Sequence, residues 1–78
     1  MQQQAQKEHL QHMLDTAIRD ESDAIRDYQV LADTFQAWVN TLPPAQRGLY
    51  QNDVNQVRFI QSDEIRHRTV LQGIRARL

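Results

Sequence analysis

Apolar residues in the first half of the chain recur at steps of three and four, the spacing of one face of an α-helix. They form a stripe wider than the seam of a simple coiled coil, which is typical of a helix that touches more than one neighbour. The stripe consists of Leu10, Met13, Leu14, Ala17, Ile18, Ala24, Ile25, Tyr28, Leu31, Ala32, Phe35, Trp38, Val39 and Leu42.

The second half repeats the helical spacing with fewer apolar residues. No segment alternates between apolar and polar with period two, so we expect no β-strands. The positions are Val54, Val57, Ile60, Val70, Leu71, Ile74 and Leu78.

Strong helix breakers occur at one place, the segment "NTLPPAQRG" with Pro43, Pro44 and Gly48. The residue before a proline avoids the helical region, whereas proline itself is tolerated in the first turn of a helix. One helix should therefore end just before the prolines. The next should begin at Pro44 or soon after, although Gly48 also allows a start as late as Asn52.

These patterns predict an all-α fold, a two-helix antiparallel hairpin in a single domain, residues 1–78. We expect helices over about 6–41 and 49–77, joined by a hinge at 42–48. A lone hairpin leaves half of each stripe in water, and two hairpins that pair by two-fold symmetry into a four-helix bundle would cover both. At 78 residues one core stabilises a chain only weakly, which also favours a homodimer or higher homo-oligomer.

Composition excludes several functional classes. The chain has no cysteine, so disulfides, thiolate catalysis and cysteine-ligated metals are excluded, and a formal net charge of −1 gives no drive toward nucleic acid or anionic membranes. No apolar run is long enough to span a bilayer, and the N-terminus lacks a signal peptide, so we expect a cytoplasmic location. Acidic residues concentrate in the first half and basic ones in the second, so the two helices should attract each other modestly.

Three ionisable residues interrupt the stripes. Glu21 occupies an inward position of the first helix, and Glu64 and His67 occupy inward positions of the second. Counted from the turn at Pro43, both glutamates lie at the same depth, roughly 32 Å away at about 1.5 Å per residue. The two carboxylates should therefore face each other across the hairpin.

Two carboxylates at one level in a core need compensation by protons, by arginines or by a cation. Glu-x-x-His alone is a weak motif, because a hydrogen-bonded pair at a helix edge has the same sequence. The matching depth of Glu21 makes a metal site the better interpretation. A dimer would bring four glutamates and two histidines together, an oxygen-rich set that suits two divalent ions such as iron or manganese.

With "DESDAIRDY" and "DEIRH", the chain resembles the ferritin-like superfamily, specifically rubrerythrin-type and half-ferritin members such as encapsulated ferritins. The resemblance implies a protomer that dimerises into a ferritin-like four-helix bundle with a di-iron centre on the two-fold axis. Glu21 and Glu64 would be carboxylate ligands, His67 the nitrogen ligand and Tyr28 a phenol close to the metals.

The resemblance further implies ferroxidase activity, the oxidation of Fe(II) by O2 in iron storage or detoxification. It also implies a shell protein as a partner, with the chain inside a nanocompartment. A full ferritin has two such helix pairs, so the site here requires the dimer. No shell-docking tail follows "GIRARL"; we expect either that such a tail lies outside this sequence or that the protein works without a shell.

Two other functions remain open. The hairpin could be structural or partner-binding, with Glu21, Glu64 and His67 fixing its register through polar pairing. It could also bind a metal for stability without reacting with oxygen. Asp20, Asp23 and Asp27 are expected to form a solvated acidic face, with a route for cations as the lesser alternative.

Overall fold

The computed structural model describes residues 2–78, which form two antiparallel helices, α1 (Gln2–Asn40) and α2 (Pro44–Ala76), and no strand. The prediction of an all-α hairpin is confirmed. The hairpin is a rod of 65 × 14 × 13 Å, so neither helix covers more than one side of the other. No helix within 2–78 is long and apolar enough to cross a membrane.

The turn is tighter than the predicted hinge at 42–48. Pro44 is the first residue of α2, and Pro43 precedes it in an extended conformation with φ −56° and ψ 145°. Proline fits the first helical position because its fixed φ suits the helix and its missing N–H would be unpaired there in any case. The helix therefore starts at once and runs through Gly48.

The helix ends also differ from the expected bounds. α1 starts at Gln2 rather than near residue 6, because the glutamine-rich N-terminus contains good helix formers and no breaker. At the turn, Thr41 N–H donates to the Trp38 carbonyl and Leu42 N–H to the Val39 carbonyl, both at 3.0 Å. Arg47 Nε donates to the Leu42 carbonyl at 2.9 Å, so a side chain of α2 closes the turn.

The two helices meet along a seam with alternating steps of four and three, the geometry of an antiparallel coiled coil. Every seam residue is at least half-buried, but among residues 2–78 only Ala32, Val39 and Val54 are fully buried. The seam comprises Leu14, Ile18, Glu21, Ile25, Tyr28, Ala32, Phe35 and Val39 in α1, and Tyr50, Val54, Val57, Gln61, Glu64, Arg68 and Leu71 in α2.

The seam differs from the expected inward positions in α2. From Val57 the seam steps by four to Gln61 and from Glu64 by four to Arg68, whereas a step of three had predicted Ile60 and His67. Steps of three and of four are both compatible with one face of a helix. Gln61 and Arg68 can lie in a half-exposed seam because long polar side chains extend their polar ends to its edge. Ile60 and His67 are therefore exposed beside the seam in the isolated hairpin.

One side of the seam, here called the polar side, is closed by hydrogen bonds and ion pairs between the helices. Its α1 members include Asp15, Ser22, Gln29 and Gln36, which recur every seven residues. The contacts are Arg75 Nε to Asp15 Oδ1 at 2.9 Å, Arg68 Nη1 to Ser22 Oγ at 3.3 Å, Gln61 Nε2 to Gln29 Oε1 at 2.8 Å, Arg58 Nη2 to Asp33 Oδ1 at 3.3 Å, and a reciprocal Gln36–Gln51 amide pair at 2.8 Å.

Two of these contacts confirm the expected attraction between an acidic α1 and a basic α2. Arg75 pairs with Asp15, and Arg58 pairs with Asp33. All four side chains are substantially exposed, so each pair contributes at most about 1 kcal/mol. Their main effect is on the register of the hairpin.

The opposite side of the seam, here called the open face, is mostly apolar. It also recurs every seven residues in each helix, and it carries His67 between Ile60 and Ile74. Trp38 contacts Tyr50 edge-on at a centroid distance of 4.9 Å but stays half exposed. The open face consists of Leu10, Ala17, Ala24, Leu31 and Trp38 in α1, and Asp53, Ile60, His67 and Ile74 in α2.

Candidate metal centre

Glu21, Glu64 and His67 form a cluster at the middle of the hairpin. One ligand atom of each, a carboxylate oxygen or an imidazole nitrogen, lies within 4.8 Å of the others. The equal depth expected for Glu21 and Glu64 is thus found in the structure. The tight turn at Pro43 and the regular helices on both sides of it bring the two residues to the same level.

Glu64 and His67 share a face of α2 because residues three apart are neighbours on a helix. His67 Nδ1 lies 4.0 Å from Glu64 Oε2. The Glu64 side chain is 23% exposed and the His67 side chain 52% exposed, so the cluster is not enclosed as a core site would be. Glu64 lies in the seam, and the imidazole lies on the open face.

Glu21 is the least satisfied member of the cluster. Its Oε2 atom is buried and has no hydrogen-bond partner. The adjacent Glu64 carboxyl raises the pKa of Glu21, first because a proton shared between the two carboxyls favours the protonated form, then through burial and through the charge of Glu64. A positive His67 opposes this shift in pKa, and Asp20 adds to it.

These properties fit a divalent cation. A buried carboxylate oxygen without a donor, a second carboxylate within reach and an imidazole are the ligand types that Fe(II) and Mn(II) take in proteins. A cation would take the place of the shared proton and leave both carboxylates ionised. Three residues supply only part of an octahedral shell, so the remaining ligands must come from water or from another chain.

Two contacts on the polar side bracket the cluster. Toward the turn, Gln61 Nε2 donates to the Ile25 main-chain carbonyl at 3.1 Å and also to Gln29. Toward the other end, Arg68 Nη1 donates to the hydroxyl of Ser22, the residue after Glu21. We name Gln61 and Arg68 the clamps, because they join the helices within about one turn of Glu64 on either side.

The apolar pattern of the sequence does not predict the clamps. Both are long polar residues of the kind usually found on a protein surface. Gln61 lies three residues before Glu64 and Arg68 four residues after it, and this helical spacing is the signal that places them in the seam. Arg68 in particular is an inward-reaching arginine close to the two carboxylates, one of the means of compensation expected from sequence, although its contact is with Ser22.

Tyr28 is not part of the cluster. It lies in the seam seven residues from Glu21, about 10 Å along α1 toward the turn, and its ring is half-buried. The acidic residues Asp20, Asp23 and Asp27 are exposed, and Asp23 pairs with Arg26 at 3.0 Å. A direct role for these four residues at a metal stays a prediction from the sequence.

Comparison with known proteins assigns no family to this chain. No family model matches it, and no curated protein and no solved structure is significantly similar to it. The functional conclusion therefore depends on the residues of the cluster and on the hairpin that holds them.

Proposed function

We propose that the chain is an iron-binding protein with a di-iron carboxylate site between two copies, and that it oxidises Fe(II) with O2 in iron storage or detoxification. The observation that carries the proposal is the cluster itself. Two carboxylates and one imidazole converge from two helices, and one buried carboxylate oxygen, Glu21 Oε2, has no hydrogen-bond partner.

The ligand count supports a shared site. Two clusters brought together supply four carboxylates and two imidazoles. That is the set of di-iron carboxylate bundles, in which two helices each give a Glu and the other two each give a Glu-x-x-His. Manganese or another divalent cation fits the same donors.

In the proposed reaction each of two Fe(II) ions gives up one electron, and O2 accepts both with two protons to form hydrogen peroxide. The chain would contribute three things to this reaction. Glu21 and Glu64 would balance the ionic charge, His67 would supply a neutral nitrogen ligand, and the half-buried seam around them would limit access of water. The Glu64 carboxyl raises the pKa of Glu21, and a bound cation would oppose that effect and favour the ionised form of Glu21.

Iron titration with and without oxygen tests the proposal. Fe(II) is added to the purified chain without oxygen and bound iron is counted; air is then admitted and the ferric absorbance is followed. We expect about two irons per two chains and faster oxidation than in buffer alone. Glu64→Ala and His67→Ala should lose most of the bound iron and most of the gain in oxidation rate.

Matched controls come from neighbouring residues of the same type. Asp63→Ala removes an acidic side chain next to Glu64 that pairs with Arg66 instead, and His12→Ala removes an exposed histidine of α1. Both should bind and oxidise iron like the wild type. Absence of bound iron or manganese, or equal behaviour of all four variants, would refute the site.

A structural hairpin without metal is the second candidate, and one observation favours it. A proton shared between Glu21 and Glu64 would satisfy the pair on its own, as the raised pKa of Glu21 implies. In that case Glu21→Gln and Glu64→Gln would leave stability and assembly intact, and Mn(II) would not change the melting temperature of the wild type.

A further inference from the structure

Gln61 is a polar residue at a position of the α2 seam where an apolar side chain would pack. The seam of α2 is apolar just before it, at Val54 and Val57, and polar from Gln61 to Arg68. Only three of residues 2–78 are fully buried, so an apolar residue at this position would enlarge a small core. Packing alone therefore does not account for a glutamine in the seam.

The Gln61 side chain donates to α1 with both protons of its amide. Nε2 donates to the main-chain carbonyl of Ile25 at 3.1 Å and to Gln29 Oε1 at 2.8 Å. Ile25 lies four residues after Glu21, and Gln61 lies three residues before Glu64. The side chain therefore ties α2 to the backbone of α1 within about one turn of both carboxylates.

Three neighbouring residues fix the direction in which the Gln61 amide points. The Gln29 amide nitrogen donates to both carboxylate oxygens of Asp33, at 3.0 and 2.9 Å. Because a carboxylate only accepts, the Gln29 oxygen must face the other way, where it accepts from Gln61. The Gln29 hydrogen bond lowers the pKa of Asp33 against the opposing effect of burial, and Arg58 lowers it further. Asp33 thus stays ionised and holds Gln29 in this orientation.

Other contacts already fix the register of the hairpin. The tight turn at Pro43 sets the level of α2 against α1. Toward the turn the helices are joined by the Gln36–Gln51 amide pair. Toward the opposite end they are joined by the Arg75–Asp15 ion pair. A contact at the level of the cluster adds something different, since it sets how far apart the two helices lie where the carboxylates meet.

We propose that Gln61 is a positioning residue of the metal centre, and that it sets the separation of Glu21 and Glu64 through its bond to the Ile25 carbonyl. The inference rests on the proposed function, because it concerns the same cluster. It adds a basis for the choice of ion. Ca(II) takes oxygen ligands at about 2.3–2.6 Å, and helices held at a fixed separation cannot move apart to fit so large an ion. The contact therefore favours Fe(II) and Mn(II) over Ca(II).

Gln61→Met tests this role, because methionine has a similar length and no hydrogen-bond donor. We expect the metal-free hairpin to be at least as stable as the wild type, since an apolar side chain in the seam offsets the lost hydrogen bonds and the exposed Gln29 can turn to water. Mn(II) binding should weaken about 10-fold, as expected when a group that positions metal ligands is removed. Ca(II) binding should weaken less, so the preference for Mn(II) should fall.

Gln51→Met is the matched control. Gln51 is also half-buried and joins the helices through its amide, but it lies 13 residues before Glu64. This variant should change the free energy of unfolding and leave both metal affinities unchanged. Calorimetric titration with Mn(II) and with Ca(II) gives the affinities, and urea unfolding in EDTA gives the stability.

Gln29→Ala is a second variant, at an exposed position where alanine suits a helix. It removes one of the two acceptors of Gln61 and should weaken Mn(II) binding by a smaller factor than Gln61→Met. Wild-type Mn(II) affinity in Gln61→Met, or an equal loss in Gln51→Met, would overturn the positioning role. Loss of helix in Gln61→Met together with wild-type affinity in Gln29→Ala would assign Gln61 a structural role instead.

The outcome separates this inference from the proposed function. A wild type that binds neither Fe(II) nor Mn(II) refutes the proposed function and the role of Gln61 with it. A wild type that binds Mn(II) no more tightly than Gln61→Met does keeps the proposed function and refutes the role of Gln61 alone.

Discussion

The Glu21 carboxylate has a buried oxygen without a partner and lies beside a second carboxylate. Because the fold raises the pKa of Glu21, it favours the protonated form over the ionised one. At pH values below the usual range of glutamate both the folded and the unfolded chain hold the proton. As pH rises through that range to the raised pKa, the unfolded chain ionises first, so the folded state loses stability.

This linkage predicts that Glu21→Gln changes the pH dependence of the metal-free chain. In EDTA the variant should lose less stability than the wild type between mildly acidic and neutral pH, because glutamine has no proton to release. Urea unfolding at several pH values measures the difference. Glu8→Gln, at an exposed carboxylate near the N-terminus, is the control and should follow the wild type. Parallel curves for wild type and Glu21→Gln would contradict the raised pKa.

The Arg68 clamp makes a second residue-scale prediction. Removal of a group that holds a metal ligand in place typically weakens metal binding about 10- to 100-fold. Arg68 contacts Ser22, the residue after Glu21, and not a ligand itself, so we expect Arg68→Ala to weaken Mn(II) binding by about 10-fold, the lower end of that range. Arg75→Ala removes an equivalent contact, to Asp15, more than one turn further from the cluster. It should lower stability by a similar small amount and leave the affinity unchanged. Calorimetric titration decides, and equal affinities of the two variants would show that Arg68 does not position the site.

At the scale of the helices, α2 runs through Gly48, where sequence alone allowed a break. An added Cβ would meet nothing within 4 Å at this position. Alanine restricts the unfolded chain more than glycine does and fits a helix without strain, so Gly48→Ala should stabilise the chain by about 0.5–1 kcal/mol. Thermal unfolding in EDTA measures the gain. A loss of stability would mean that α2 does not start at Pro44.

The sequence predicts the two helices and the turn, but not which residues of α2 lie in the seam. Two prolines with a helical spacing on both sides leave few alternatives to a hairpin. Because the turn is tight, the number of residues from Pro43 gives the equal depth of Glu21 and Glu64. The apolar spacing alone does not decide whether Ile60 or Gln61, and whether His67 or Arg68, lies in the seam. Adjacent residues differ by about 100° around a helix, and a stripe wide enough for two neighbours includes both.

The same width explains how the candidate site differed from its prediction. His67 belongs to the cluster as expected, yet its imidazole lies on the open face and not within the hairpin seam. The sequence pattern alone does not show which apolar positions of a helix pack on the other helix of the hairpin and which face outward. Polar residues such as Gln61 and Arg68, which decide this, carry no apolar signal in the sequence.

For the whole molecule, the hairpin has one side satisfied by its own polar contacts and one side left apolar around a cluster of ligands. If two copies form the folded unit, unfolding also separates the chains, and stability depends on protein concentration. If the cluster binds metal only in that unit, stability depends on metal as well. The dependence on protein concentration would come from the open face, and the dependence on metal would come from the ligands. Substitutions can therefore remove each dependence separately.

We therefore expect the melting temperature of the wild type to rise with chain concentration in EDTA and to rise further when Mn(II) is added. At a metal concentration 100 times the dissociation constant, bound metal should add about 2.7 kcal/mol to the free energy of unfolding. Glu64→Gln should keep the first dependence and lose the second. Leu31→Glu should lose the first and weaken the second, since its cluster lacks the partner's ligands. Melting curves over a range of chain and metal concentrations measure both. A metal response in Leu31→Glu as large as in the wild type would mean that one hairpin binds the ion alone.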